Sequence, residues 1–152
     1  MNLDNTDLLL LKILGNNSNQ TIKELAKQVN LSPTPVLQRI RRLENEGYIK
    51  KYIALLNPEK FSQGFIVFCN IKLKQHDRSI GHRFVQDILK IDEVVECYNI
   101  SGDYDFILKV FAKDMQHYQE FVFNKLGAVE SIGSTHSSFV MAEIKNAHNI
   151  TF

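Results

Sequence analysis

The sequence predicts an α+β chain of two small domains: a three-helix unit with a β wing over residues 1–60, then a β-α-β-β-α-β unit over residues 61–152. Three observations predict it. Thr21 to Gly47 reads as two short amphipathic helices split by a three-residue turn. Residues 65–144 alternate between period-2 and helical-period apolar patterns. Between these stretches, Asn57-Pro58-Glu59-Lys60 and Ser62-Gln63-Gly64 are the clearest breaks in the chain.

The first helix is expected to start on an Asp4 cap and to end near Gly15-Asn16-Asn17, its leucines supplying a core. Thr21 and Glu24 stand at capping-box spacing, so the second helix starts at Thr21. Ile22, Leu25, Ala26 and Val29 form its apolar stripe, and Asn30 tolerates the left-handed conformation of a helix stop. Ser32 is the expected N-cap of the third helix, with Pro33 at its first position and Pro35 still inside the first turn. Gly47 is the expected C′ residue. Tyr48 to Leu56 is β-prone and reads as the strand of a wing, with Lys50-Lys51 in its middle.

On a helical wheel of the third helix, Val36, Ile40 and Leu43 cluster on one side with Leu37 on the flank. Thr34, Gln38, Arg41 and Asn45 cluster opposite, next to Arg42. Gln and Arg suit the edges of adenine and guanine, and Arg39 and Arg42 are equally suited to phosphates. The pattern points to a helix that enters a DNA groove. The candidate DNA-binding residues are Thr21, Ser32, Pro33, Thr34, Gln38, Arg39, Arg41 and Arg42.

In the second half, Phe65 to Lys74 is a strand with Phe65, Val67, Cys69, Ile71 and Leu73 on one face. Arg78 to Lys90 is a helix with Ile80, Phe84 and Ile88 in register. Val94 to Ile100, a Ser101-Gly102-Asp103 turn and Tyr104 to Ala112 form a hairpin. Asp114 caps a last helix with Met115, Tyr118, Val122 and Leu126 on its stripe and Gly127 as its stop, and Ser134 to Ile144 is the final strand. Such a sheet, covered by helices on one face, resembles ferredoxin-like folds. Phe106, Leu108 and Val110 alternate with Ile107 and Phe111, so both faces carry apolar residues, and a second subunit is the simplest cover.

Hydrophobic residues make up 44% of the chain, enough for packed cores. The formal net charge is +1, but residues 1–63 hold nine Lys and Arg against six Asp and Glu, and the remainder nine against eleven. A basic first half fits a nucleic-acid partner. The run Leu8 to Leu14 is too short to span a bilayer, and no targeting signal is visible. Cys69 and Cys97 lie in apolar segments without a Cys-x-x-Cys pattern and are expected to be buried reduced thiols in a cytoplasmic protein. His76, His82, His117, His136 and His148 are scattered, so neither metal nor cofactor is expected. No Ser/His/Asp or Cys/His arrangement supports a catalytic role, and the chain is not expected to be an enzyme.

Four stretches carry a family resemblance: Leu31-Ser32-Pro33-Thr34-Pro35 running into Arg39 to Glu44; Ala54 to Pro58; Glu96-Cys97-Tyr98 leading to Ser101-Gly102-Asp103-Tyr104-Asp105; and Ser138 to Lys145. Over nearly its whole length the chain resembles the Lrp/AsnC family of leucine-responsive and asparagine-responsive regulators, more closely the leucine-responsive branch. The resemblance implies a RAM-type second domain that dimerises and assembles further, as in octamer-like rings. It also implies promoter binding, and an amino-acid effector held between subunits near the Gly-Asp turn. Chemistry at the turn is compatible: the Ser101, Gly102 and Asp103 amides suit a carboxylate, and Asp103 or Asp105 suits an ammonium. Good tight-turn chemistry alone also explains Gly102-Asp103.

The candidate effector residues are Asn99, Ser101, Gly102, Asp103, Tyr104, Asp105, Met115, Phe139 and Val140. Two features depart from close relatives. Gln38 stands where several carry an acidic residue, which leaves the target base pattern open, and the polar run Ser134-Thr135-His136-Ser137 leaves the effector open. The expected function is therefore an effector-modulated, sequence-specific regulator, with an effector-independent architectural DNA-binding protein as the alternative.

Overall fold

A computed structural model of the chain describes residues 3–75, 77–146 and 150, so His76 and His148 lie outside the described residues. The described chain forms two compact units. One holds the residues up to Leu55 together with those from Lys145, and the other is Leu56–Ile144. The division falls a little before the expected border at residue 60, because the 3₁₀ turn Pro58–Phe61 belongs with the second unit.

The first unit is built on α1 (Asn5–Asn16), α2 (Ile22–Gln28) and α3 (Pro33–Asn45). Asp4 caps α1 through a full capping box with Asp7, and Thr21 caps α2 through one with Glu24. Asn30 has φ +54, and the Leu31 and Asn30 amides donate back to the Ala26 and Lys27 carbonyls, the closure of a Schellman stop. The same closure recurs after α3, where Gly47 has φ +78 and Tyr48 N–H reaches the Leu43 carbonyl. Leu10, Leu14, Leu25, Ala26, Val36 and Ile40 form the core.

Two expectations for this unit need correction. Ser32 occupies the N-cap of α3, but its hydroxyl makes no capping hydrogen bond. Tyr48 to Leu56 forms no strand. A strand exists by pairing, and among the described residues this unit offers no second strand to pair with. The segment is pinned instead by Ile49 N–H on the Leu43 carbonyl and by the Tyr52 hydroxyl on Glu44 Oε1 at 2.8 Å.

The second unit runs β1 (Phe65–Leu73), α4 (Arg78–Ile88), β2 (Val94–Asn99), β3 (Phe106–Ala112), α5 (Met115–Asn124), a 3₁₀ turn at Leu126–Ala128, and β4 (Ile132–Phe139). The four strands pair antiparallel in the order β2-β3-β1-β4. Val67, Cys69, Ile71 and Leu73 of β1 and Phe106, Leu108, Val110 and Ala112 of β3 share one core with Phe84 and Ile88 of α4 and Tyr118 and Phe121 of α5. Both helices therefore cover the same face. Ile66, Phe68, Ile107 and Phe111 lie on the other face and remain partly accessible.

Several boundaries differ from expectation. β4 stops at Phe139 rather than Ile144: Val140 N–H still reaches the Ile66 carbonyl, but β1 begins at Phe65, so later residues have no strand beside them. Of the expected α5 stripe, Tyr118 and Leu126 are buried and Val122 packs on the core, joined by Phe121, but Met115 is 44% exposed at the helix start. That helix ends at Asn124, ahead of the expected Gly127 stop. Cys69 is buried as expected, but Cys97 is exposed because β2 is an edge strand.

Candidate functional site

α3 presents one polar face to solvent. Its alternation of Val36, Ile40 and Leu43 inward leaves Thr34, Gln38, Arg41 and Asn45 exposed on one stripe. Pro33 is exposed at the start of α3, and the Ser32 hydroxyl beside it is not used for capping. Arg41 has no hydrogen bond or ion pair among the described residues. These are the side chains a groove would meet.

The other expected DNA-binding residues are engaged within the unit. Thr21 N–H and Oγ1 both donate to Glu24 Oε2, at 2.7 and 2.9 Å, so Thr21 works as a cap. Arg39 Nη1 lies 2.6 Å from Asp4 Oδ2 and 2.7 Å from Asp7 Oδ1. Arg42 Nη2 lies 2.5 Å from Asp7 Oδ2. The hydrogen bonds from Arg39 to Asp7 and Asp4 raise its pKa above the already high arginine value. Sequence reading missed this cluster because its partners are more than thirty residues apart.

In the second unit the turn between β2 and β3 is stapled on three sides. Asp105 N–H donates to the Ile71 carbonyl at 2.9 Å, and Asp105 Oδ2 accepts the Leu73 amide proton at 2.8 Å. The Asp105 carbonyl accepts from Ile100 N–H at 2.9 Å and from Asn99 Nδ2 at 2.8 Å. Gly102 has φ +116, a conformation that favours glycine. Ser101, Gly102 and Asp103 are exposed, and their amides donate to no described residue. Tyr104 is partly buried, its ring 6.2 Å from that of His136.

Met115, Phe139 and Val140 are not at this turn. Phe139 pairs with Val67, whereas the turn flanks Phe106, which pairs with Ile71. Four residues of β1 separate the two, roughly 13 Å at the rise of a strand. Phe139 stacks there against Phe65 at 5.8 Å and Tyr118 at 5.5 Å. The expected effector residues thus divide between opposite ends of one sheet.

A third place in this unit was not expected from the sequence. A cleft of about 590 Å³ is lined by Leu56, Phe61, Val95, Phe111, Glu93 and His117, among others, and by none of the expected effector residues. Glu93 Oε1 accepts from Lys125 Nζ at 2.6 Å, while Glu93 Oε2 is buried without a partner. Burial is the largest single influence and works to raise the Glu93 pKa, but the Lys125 hydrogen bond, a backbone hydrogen bond and the charges of Lys125 and His117 together hold the carboxyl below its ordinary range. Among the described residues no group of His, Cys, Asp and Glu could hold a metal ion. None of the described helices is long and apolar enough to cross a membrane.

A helix-turn-helix with a polar, basic outer face, in one chain with a four-stranded sheet domain, defines the class of two-domain DNA-binding regulators. The winged helix-turn-helix DNA-binding model matches residues 3–50, and the Lrp/AsnC ligand binding domain model matches residues 66–150. The leucine-responsive regulatory proteins of Klebsiella pneumoniae and of Escherichia coli K12 are each 35% identical over 148 residues, 97% of this chain and 90% of theirs. A Neisseria meningitidis transcriptional regulator, solved as a complex with L-Met, is 33% identical with a TM-score of 0.95, over 99% of this chain and 97% of that one. An AsnC family regulator from Agrobacterium tumefaciens is 34% identical with a TM-score of 0.92, over 98% and 97%. The chain belongs to the Lrp/AsnC family of DNA-binding transcriptional regulators.

Proposed function

We propose that this regulator binds DNA sequence-specifically through α3 and that an amino acid, held by the second unit between two or more copies of the chain, modulates it. The observation that carries the effector reading is the β2–β3 turn, where three exposed amides without a described acceptor stand beside the exposed Asp103 carboxylate. Amide donors suit an α-carboxylate, and Asp103 suits the ammonium. Asp105 is committed to Leu73 and positions the turn. The complex of the Neisseria relative with L-Met supports an amino acid as the ligand class.

Assembly rests on two features. The helix-free face of the sheet carries Ile66, Phe68, Ile107 and Phe111, with Val95 and Tyr98 about half exposed beside them. A second copy covers such a face by isologous contact. Met115, Phe139 and Val140 lie at the other end of the sheet from the turn, so they meet a ligand there only if contributed by another copy.

The test is calorimetric titration of the protein with a panel of amino acids that includes L-Met, run beside gel shifts on its own promoter region. Binding of at least one amino acid, with a shift in DNA affinity, supports the reading. Tight DNA binding that is indifferent to every amino acid would favour the effector-independent architectural role instead. Sedimentation velocity of Ile107→Asp, which places a charge on the helix-free face, is expected to report monomers; an unaltered assembly refutes that interface.

A further inference from the structure

α3 displays three arginines within four positions, yet the first unit neutralises two of them. Asp7 has only 2% of its side chain accessible, and each of its carboxylate oxygens receives a guanidinium: Oδ1 from Arg39 and Oδ2 from Arg42. Asp4 Oδ2 takes Arg39 as well. The same two aspartates form the capping box of α1, with Asp7 N–H on Asp4 Oδ1 at 2.8 Å and Asp4 N–H on Asp7 Oδ2 at 3.2 Å. Two acids and two arginines make a cluster with no net charge, fixed to the start of α1 and the flank of α3. A buried carboxylate with both oxygens occupied holds its partners tightly, because leaving either one unpaired is costly.

The consequence lies in how DNA attraction is divided. Each arginine that neutralises a phosphate adds sequence-independent affinity and steepens the dependence on salt. Arg39 and Arg42, with 27% and 35% of their side chains accessible, stand beside the reading stripe but are turned to Asp4 and Asp7. We infer that Asp7 is a positioning residue of the DNA interface: it withholds Arg39 and Arg42 from phosphates and orients α3, so that Arg41 is the arginine of this helix that meets DNA. The inference rests on the DNA-binding reading of the first unit and adds to it an internal limit on non-specific attraction.

The experiment compares wild type, Asp7→Asn, Arg39→Gln and a charge control, Glu46→Gln, an exposed acid with no ion pair among the described residues. Elution from immobilised heparin and the salt dependence of binding to random duplex are both read. Asp7→Asn is expected to elute at higher salt than Glu46→Gln, and its log–log salt slope to steepen by about 0.9 for each arginine freed. Arg39→Gln is expected to keep the wild-type slope. Asp7→Asn eluting with or before the charge control overturns the inference, and so does a slope for Arg39→Gln shallower by about one. If Asp7→Asn loses its helical circular dichroism, the Arg39→Gln slope alone decides. Heparin detects the freed arginines without a DNA site, so failure of the wild type on promoter DNA would count against the DNA-binding reading alone.

Discussion

The Asp105 carboxylate accepts the Leu73 amide proton at 2.8 Å, across thirty-two residues of sequence. It fastens the β2–β3 turn to the end of an inner strand, where β1 shifts register against β4 between Lys72 and Leu73. Replacing Asp105 with Ala leaves a partly buried amide unpaired and is expected to cost about 1–3 kcal/mol of unfolding free energy. Asp105→Asn keeps an acceptor and is expected to cost less. Urea denaturation of both variants measures the difference, and equal losses would assign the stabilisation to charge alone.

Asp103, in the same turn, is exposed and has no partner among the described residues. Asp103→Ala is expected to weaken amino-acid binding about tenfold or more, as the loss of a charge-assisted hydrogen bond requires, while DNA affinity without effector stays at the wild-type value. Calorimetry and gel shifts read the two quantities separately. Unchanged ligand affinity would remove Asp103 from the site.

Arg41 is the exposed arginine of α3 without an internal partner among the described residues. Arg41→Ala is expected to weaken binding to the specific site by about 1–3 kcal/mol and to relax preference at one base position. Equal losses on specific and random duplex would show that it contacts phosphate rather than a base edge.

Three helix caps make stability acid-sensitive. Asp4 is held below 3.8 by the Asp7 amide first and then by Arg39, Glu24 below 4.5 by the Thr21 amide and hydroxyl, and Asp77 below 3.8 by the Ser79 hydroxyl and amide. A carboxyl whose pKa is lower when folded stabilises fully above its unfolded value, and that contribution is lost as pH falls through the folded value. The melting temperature is therefore expected to be level from neutrality to about pH 5 and to fall below it. Glu24→Gln is expected to shrink the drop, and a melting temperature that holds to about pH 3 would contradict the assignment.

Tyr118 anchors α5 to the sheet. Its hydroxyl lies 2.6 Å from both Cys69 Sγ and Ser137 Oγ, and burial first, then Cys69, drives its pKa above the ordinary phenol value. Tyr118→Phe leaves the thiol and the serine hydroxyl 3.8 Å apart and is expected to cost about 1–2 kcal/mol, read by denaturant titration.

What the sequence made legible was mostly local. Thr21 with Glu24, Asn30 and Gly47 declare the helix ends because caps and stops act over a few residues. The β-α-β-β-α-β order follows from periodicity, which each element carries within itself. Tyr48 to Leu56 and the far end of β4 have strand-like composition, but a strand also needs a neighbour, and no residue announces whether one is there. The partners of Arg39, Arg42, Asp105 and Glu93 are not legible for the same reason: they come from distant sequence. Met115 keeps helical spacing yet faces outward, since only its first-turn position decides what covers it.

The division of the expected effector residues between two ends of one sheet has a consequence for dose. If Asn99 to Asp105 of one copy must meet Met115, Phe139 and Val140 of another before a ligand is enclosed, occupancy depends on protein concentration as well as ligand concentration. Diluting the regulator would raise the apparent dissociation constant for its amino acid, and adding the amino acid would draw copies together. Such a protein measures its own abundance along with its nutrient.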